Sequence, residues 1–173
     1  MYHSKFYDML YRVNTDSRWR TILKSPEPDL HMKDIEILLR GFAMLIGGHE
    51  YVPSMVRFLN QFSRMCEGRD DKKNEYLQSL FTSFLCACED LPDDAFVNPK
   101  NNRFNIALFE AVFTATCDEA FKRRRRLKGK IDPDDVSALE RDRQFVDASL
   151  EGTTRTTNVS IRLKRARALV STL

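Results

Sequence analysis

Apolar residues recur at helical spacing along nearly the whole chain, and no segment alternates with the period of a strand. The clearest stripe has apolar positions three and four residues apart between Ile35 and Ile46, which is typical of a helix that packs a wide face against a core. Gly47 and Gly48 end this stripe, since glycine tolerates the left-handed conformation found at helix ends. The pattern predicts an all-α fold, an irregular bundle of about seven or eight helices with essentially no β-sheet.

Prolines and capping residues divide this pattern into separate helices. The segment 25–29 contains two prolines, which remove backbone donors and hold the preceding residues extended. Pro53 suits the first position of a further helix, where no hydrogen-bonded amide is lost. Asp132 followed by Pro133 is a strong helix start, and this helix is expected to continue to Gly152. Its predicted inner face contains Val136, Leu139, Val146 and Leu150.

The composition is that of a water-soluble globular protein. The 173 residues are 42% hydrophobic, 31% charged and 10% aromatic, and a disordered chain does not carry so many aromatic side chains. No apolar run approaches the ~20 residues that span a bilayer, and the first residues do not have the pattern of a signal peptide. We therefore expect one helical domain over residues 1–173, without membrane contact.

The chain has four cysteines, Cys66, Cys86, Cys88 and Cys117, and no Cys-x-x-Cys pair. A zinc site built from Cys86, Cys88 and a distant histidine is conceivable, but close ligand pairs usually have two to four residues between them. Residues two apart point to different sides of a helix, so we interpret this pair as one buried thiol and one near the surface. Free thiols favour a reduced, cytoplasmic protein, and we predict no metal and no cofactor.

No pattern of catalytic residues stands out. The chain has no glycine-rich phosphate loop and no His-Glu-x-x-His motif. Acidic pairs occur at 70–71, 93–94 and 134–135, in predicted loops or helix starts, where capping and the helix dipole explain them. We therefore predict no catalytic residue.

Positive charge is concentrated in the carboxyl-terminal region. Residues 1–121 contain 14 Lys and Arg against 18 Asp and Glu, whereas residues 122–173 contain 14 against 7. The net charge of +3 hides this asymmetry. A basic region 122–173 attached to a mildly acidic body indicates an anionic partner for that region, with DNA as the candidate.

The strongest local feature is a basic run, because residues 122–130 carry seven positive charges and no acid. The preceding long helix is expected to reach this run, with Gly129 interrupting it near its end. If it persists to residue 130, Arg123, Arg126 and Lys130 could share a face. Three interpretations stay open: a solvated helix end, contact with phosphates, or docking of a partner protein. Because the aromatic residues lie on predicted core faces, contact with the nucleic-acid backbone is favoured over base reading. The predicted nucleic-acid-binding residues are Arg123, Arg124, Arg126, Lys128, Lys130, Arg162 and Arg165.

Three motifs in a fixed order resemble a known family. They lie at residues 32–45, at 55–62 with the sequence Met-Val-Arg-Phe-Leu-Asn-Gln-Phe, and at 104–111 with Phe-Asn-Ile-Ala-Leu-Phe-Glu-Ala. With the introducing segment 5–23 and a closing Gly-Thr…Arg segment at 152–162, they resemble the helical second half of domain-of-unknown-function family 262. This is the GmrSD-type family of bacterial restriction and defence proteins.

The resemblance implies a helical fold and a role beside catalytic domains. The family's first half resembles a ParB-like fold with an Asp-Gly-Gln-Gln-Arg motif linked to nucleotide hydrolysis or DNA cleavage, and a His-Asn-His-type nuclease domain often follows the helical half. Neither motif occurs here, so no catalytic residue is carried over. At Gly41 the family usually has an aromatic residue, a difference that affects packing. The family-motif residues, expected to be mainly structural, are Arg40, Phe42, Phe58, Leu59, Asn60, Phe104, Asn105 and Glu110.

Two functional hypotheses follow from the basic region and the resemblance. The first is a non-catalytic helical module of a bacterial DNA-targeting restriction or anti-phage defence system. It would contact the nucleic-acid backbone and dock a protein that carries the ParB-like half or a nuclease domain. The second is a protein-interaction or regulatory module of the inhibitor type, with no nucleic-acid role. An independent enzyme is a third alternative. It is disfavoured because no group of residues in the sequence has the pattern that an active site requires.

Overall fold

Nine α-helices form most of the computed structural model, which describes residues 4–172. They are α1 (Lys5–Asn14), α2 (Ser17–Ile22), α3 (Lys33–Gly47), α4 (Met55–Glu67), α5 (Asp71–Ala87), α6 (Ile106–Lys122), α7 (Pro133–Arg141), α8 (Arg143–Leu150) and α9 (Thr156–Leu169). Within this range the only sheet pairs β1 (Val97–Asn98) with β2 (Arg103–Phe104) in antiparallel register, and no helix combines the length and apolar character needed to cross a membrane. The predicted all-α bundle with essentially no β-sheet is confirmed. The described residues form nine α-helices, where about seven or eight were expected.

Short polar side chains begin most of the helices. In each case a side-chain oxygen accepts a hydrogen bond from an amide of the first turn, which satisfies a donor that the helix start leaves free. These N-cap residues are Ser4, Asp16, Ser54, Asp70, Asn105, Asp132 and Asp142. The predicted start at Asp132 and Pro133 is confirmed. The predicted start at Pro53 is wrong by two residues, because Ser54 supplies the capping oxygen that a proline lacks.

One continuous hydrophobic core connects all nine helices. Its centre is formed by α3 and α6: α3 packs against α1, α4 and α6, and α6 also packs against α5 and α9. Gly41 allows the close approach, because a Cβ atom there would lie 3.2 Å from the rings of Phe109 and Phe113 on α6. A bulkier residue at position 41 would therefore require these two rings to shift.

The chain after residue 132 forms three helices rather than the two that the pattern predicts. Asp142 separates α7 from α8, because its backbone is extended and its carboxylate accepts the amide proton of Phe145 (2.9 Å). This break turns the face of α8, so that Phe145 and Ala148 are buried. Val146 is only half-buried and Leu150 is 67% exposed. The predicted inner face is therefore wrong beyond Asp142, because that prediction extended the apolar spacing of one helix across the break between α7 and α8.

Candidate nucleic-acid interface

Helix α6 ends before the arginine run, and the chain that follows the helix forms a tight turn. The amide of Arg125 donates to the carbonyl of Ala120 (2.8 Å), and the amide of Arg124 donates to that of Phe121 (3.1 Å). These two bonds define a Schellman helix end. Arg124 occupies its left-handed position with a φ of 49°, where glycine is the usual residue. The predicted continuation of the helix to Gly129 is therefore wrong.

Residues 124–130, named here the basic strap, run in an irregular path along α5. The hydroxyl of Tyr76 on α5 donates toward the carbonyl oxygen of Arg125 (3.0 Å). Further along the helix, the amide of Leu127 donates to the hydroxyl of Ser83 (2.9 Å), and the Leu127 side chain packs against the core. This path replaces the predicted helical face of Arg123, Arg126 and Lys130.

The far end of the strap is fixed to the end of α5. Ile131 is fully buried, and its amide donates to the carbonyl of Ala87 (2.9 Å). The Lys130 ammonium donates to the carbonyl of Cys86 (2.8 Å) and pairs with Glu89 (2.5 Å), and this hydrogen bond to Glu89 raises the pKa of Lys130. Since both ends and the middle contact α5, the strap has a defined path despite its lack of regular structure.

The charges around the strap divide into paired ends and an unpaired middle. Lys122 lies 2.8 Å from Asp118, and Arg123 lies 2.5 Å from Glu119 one helical turn away. Lys130 is paired at the other end. Four exposed cations between these pairs have no acidic partner among residues 4–172: Arg124, Arg125, Arg126 and Lys128. This group is the free positive charge that the strap presents to solvent.

A second basic segment, not predicted from the sequence, lies next to the start of the strap. The turn between α4 and α5 and the first turn of α5 contribute Arg69, Lys72 and Lys73. These residues line one groove together with Lys122 and Arg124. They lie far from the strap in sequence and alternate with acids, so a search for runs of positive charge does not detect them. The fold therefore enlarges the basic surface beyond the arginine run.

Arg162 is buried, so its predicted role in nucleic-acid binding is wrong. Only 1% of the residue is exposed. Its guanidinium donates to the carbonyl oxygens of Ala148 (2.7 Å) and Thr153 (2.9 Å) and lies 3.9 Å from the Glu110 carboxylate. Charge counting along a sequence treats such an inward-facing arginine like a surface one.

Arg165 is held in an ion pair with Asp142 and is not part of the strap surface. Its Nε and Nη2 atoms lie 3.0 and 2.7 Å from the two carboxylate oxygens. The hydrogen bond from Arg165, followed by the one from the Phe145 amide, lowers the pKa of Asp142. The pair joins α9 to the α7–α8 junction and neutralises the Arg165 charge locally. Of the other predicted binding residues, five lie in or next to the strap: Arg123, Arg124, Arg126, Lys128 and Lys130. The role of Arg165 stays a prediction.

Most family-motif residues have structural positions. Arg40 and Glu110 form an ion pair between α3 and α6, with a guanidinium nitrogen 2.9 Å from the carboxylate. Asn105 accepts the amide proton of Leu108 (3.1 Å) and so caps α6. Asn60 differs, because it lies exposed on α4. The other motif residues lie in the core or pack against it: Phe42, Phe58, Leu59 and Phe104.

The thiols and acids do not assemble into a reactive group in the described chain. Cys88 is buried and Cys86 is half-buried, which confirms the interpretation of this pair. Burial raises the pKa of Cys66, Cys88 and Cys117, which disfavours the nucleophilic thiolate. Among residues 4–172 no three His, Cys, Asp or Glu side chains lie together so as to hold a metal ion.

The fold defines the class of protein as an all-α helical bundle, and its surface carries a basic strap. Comparison with protein-family models, with curated proteins and with solved structures finds no match to this chain. The resemblance to the GmrSD-type family therefore stays a prediction based on motifs. The geometry of the strap is the observation from which a function can be inferred.

We expect that Arg124→Gly preserves the fold but weakens the binding of a polyanion. Glycine fits the left-handed position, so the free energy of unfolding should stay unchanged or rise by up to about 1 kcal/mol. Loss of one phosphate contact should lower the salt dependence of DNA binding by about 0.9 in the log–log slope. Thermal unfolding and a salt titration measure the two effects. A clear loss of stability would show that Arg124 holds the turn together rather than serving as a surface cation.

Proposed function

We propose that this chain is a non-catalytic helical module that binds nucleic-acid backbone through the basic strap. We further propose, from the motif resemblance, that it works in a bacterial DNA-targeting restriction or anti-phage defence system. There it docks a protein that carries the ParB-like half or a nuclease domain.

The observation that carries the binding proposal is the group of four unpaired cations on a fixed segment. Arg124, Arg125, Arg126 and Lys128 are exposed and have no acidic partner in the described chain. Cations that neutralise phosphates release condensed counterions, and this release drives non-specific binding. Guanidinium groups also match phosphate geometry, because they donate two parallel hydrogen bonds.

The attachment of the strap to α5 supports binding as well. A flexible basic tail must be ordered when it binds, which costs free energy. Here the backbone of the strap is already held by Tyr76 near its start, by Ser83 in its middle and by the Ile131 amide just after its end. The cost of ordering is therefore limited to the exposed side chains.

Arg124 adds a further argument, because it occupies a conformation that arginine rarely adopts. A non-glycine residue at a φ of 49° is strained. Glycine would form the same helix end at lower cost. Lys24, which lies outside the strap, has a similar φ of 54°, so the conformation of Arg124 supports the proposal only together with its unpaired charge.

The proposal is tested by replacing all four unpaired cations with glutamine and measuring duplex-DNA binding against salt concentration. We expect the log–log slope to decrease in magnitude by about 3.6, because each neutralised phosphate contributes about 0.9. Fluorescence anisotropy with a labelled oligonucleotide gives the affinities, and circular dichroism checks that the variant stays helical.

A matched control removes four exposed cations outside the strap and its groove. These are Lys24, Lys33, Lys100 and Arg103, each replaced by glutamine. The two variants have the same net charge, so a non-specific charge effect would weaken them equally. Binding that is absent in the unchanged protein, or is equally weak in both variants, would contradict the proposal.

The proposed place in a defence system has a separate test. A neighbouring reading frame should encode the Asp-Gly-Gln-Gln-Arg motif, and its product should co-purify with this chain after nuclease treatment. If no such product binds, the docking part of the proposal is wrong, and backbone binding by the strap is unaffected.

A specific observation favours a protein-interaction module as the second candidate function. Leu30 is 96% exposed in the loop after α2, and Met32 and Tyr11 are more than one-third exposed. The Tyr11 hydroxyl lies 4.0 Å from the Met32 sulfur, so the two side chains form one surface. A protein partner that binds the unchanged chain but not Leu30→Asp would support this candidate.

A further inference from the structure

A groove of about 820 Å³ lies between the end of α4, the start of α5 and the end of α6. Its volume is within the range of sites that hold small organic groups. Arg124 belongs both to this groove and to the strap, so a ligand bound along the strap is next to the groove.

The charges that line the groove are mostly positive. Lys73 is paired with Asp70 at 3.5 Å, and Lys122 is paired with Asp118. The remaining cations of the lining have no acidic partner in residues 4–172: Arg69, Lys72 and Arg124. Three unpaired cations around one groove predict a ligand that carries more than one negative charge.

The walls between these cations are apolar and partly aromatic. Tyr76 and Phe121 are half-buried, and their ring centroids are 6.4 Å apart with planes inclined by 31°. Met65, which also lines the groove, is 55% exposed. Aromatic rings and methionine sulfur make favourable contacts with flat π-systems. The groove therefore offers both charged and flat apolar partners to one ligand.

We propose that this groove takes an unpaired nucleobase and its flanking phosphates, so that the strap binds single-stranded nucleic acid. The proposal rests on the proposed function and names its ligand. A base inside a duplex is stacked and paired, and it reaches a protein groove only when the strand is unpaired. Proteins that bind single strands combine a basic track with aromatic side chains on which bases stack.

This ligand differs from the one expected from the sequence, which favoured backbone contact over base reading because the aromatics were assigned to core faces. In the structure, Tyr76 and Phe121 are accessible at the groove while also packing against the core. A free mononucleotide in the groove would not extend to the strap cations beyond Arg124. A single strand occupies the groove and the strap together, and an acidic peptide has no flat ring of this kind.

The experiment compares five ligands on the full chain: an oligothymidylate, an abasic strand of equal length, a duplex of equal length, oligoglutamate and thymidine monophosphate. Stacking contributes about 1–3 kcal/mol per base, so we expect the abasic strand to bind at least about fivefold more weakly than the oligothymidylate. The duplex should also bind more weakly than the oligothymidylate, because its bases are stacked and paired. Oligoglutamate and thymidine monophosphate should bind more weakly still. Equal affinities for the thymidylate and abasic strands, or tighter binding of oligoglutamate, would overturn the inference.

Two variants of α4 test the location. Met65→Glu places a negative charge at the groove, and Val56→Glu makes the same change at a residue that is 69% exposed on the same helix and does not line the groove. We expect Met65→Glu to weaken thymidylate binding about fivefold or more, and Val56→Glu to change it less than twofold. Equal effects of both variants would contradict the assignment.

Photocrosslinking of a 5-iodouracil strand, followed by mass spectrometry, identifies the contact directly. Crosslinks at Met65, Tyr76 or Phe121 would support the inference, and crosslinks only outside the groove would overturn it. The two levels of the proposal fail differently. If the chain binds strands with a strong salt dependence but the bases contribute nothing, only this inference is wrong. If the chain binds no polyanion, the proposed function is wrong as well.

Discussion

Replacing Glu110 by alanine is expected to lower the free energy of unfolding by about 3–5 kcal/mol, the usual cost of removing one partner of a buried ion pair. The Glu110 carboxylate is 1% exposed, accepts a hydrogen bond from Nε of Arg40 (3.0 Å) and lies 2.9 Å from Nη2 of the same guanidinium. It also lies 3.9 Å from the Arg162 guanidinium, whose side chain is 2% exposed. Without Glu110 these two guanidinium groups would face each other with no carboxylate between them.

The effect should be large because this network joins separate parts of the bundle. Arg40 lies on α3, Glu110 on α6 and Arg162 on α9, and Arg162 also donates to two carbonyls around the α8–α9 turn. Burial lowers the pKa of Arg162, and the charge of Glu110 opposes that shift. Loss of the carboxylate therefore destabilises the charged form of an arginine that has no access to water.

Urea unfolding, followed by circular dichroism, measures this prediction. Glu119→Ala is the matched control. It removes an acid from the same helix, but the ion pair of Glu119 with Arg123 is exposed. Exposed pairs contribute only about 0–1 kcal/mol. Equal stabilities of the two variants would show that the buried network adds nothing beyond a surface pair.

Asp34→Asn is expected to destabilise the fold by about 3 kcal/mol at neutral pH, since it leaves Arg20 charged and buried without its counterion. The Asp34 carboxylate accepts from the Arg20 guanidinium (2.9 Å) and from the Asn14 amide group (2.9 Å). It also accepts from the backbone amides of Asp29 and Ile35, both at 2.8 Å. These contacts tie α1, α2 and the proline-containing loop to the start of α3.

The same carboxylate makes stability depend on pH. Burial alone raises the pKa of Asp34, but the hydrogen bonds from the Asp29 amide, Asn14 and Arg20 outweigh it, and the pKa lies below its ordinary value. A carboxyl group with a lowered folded pKa contributes its stability fully above the unfolded pKa of about 3.9, and loses it as pH falls through the folded pKa. The unchanged protein should therefore lose stability in acid below about pH 4, and Asp34→Asn should lose less.

Denaturant unfolding at pH 7 and at pH 3 separates the two parts of this prediction. Glu36→Gln is the control, because Glu36 is an exposed acid in the first turn of the same helix. It should leave both the stability at neutral pH and the acid dependence nearly unchanged. An Asp34→Asn variant as stable as the unchanged protein at pH 7 would contradict the role of the buried pair.

Apolar spacing and capping residues predicted the helices well where the structure of a helix depends only on residues within a short segment. The stripe from Ile35 to Ile46 lies in α3, and Asp132 with Pro133 begins α7. A cap acts on amides two or three residues away, so its effect can be inferred from a short segment. The break at Asp142 was missed because an aspartate that caps a new helix and one inside a long helix look alike in sequence.

The binding surface could be predicted only in part. The arginine run indicated the strap, but its shape depends on contacts with Tyr76, Ser83 and Ala87 on another helix. The groove was missed because Arg69 and Lys72 come next to Arg124 only after α5 and α6 have packed together.

Hydrophobic periodicity, capping residues and the count of charges were enough to establish an all-helical protein with a basic end, since each is a property of neighbouring residues in the chain. Which arginines face solvent depended on packing. Arg162 turns inward to a buried acid and Arg165 binds Asp142, whereas Arg124 stays free. The energy of a charged side chain is governed by solvent and by partners that are distant in sequence, and those are known only once the helices are assembled.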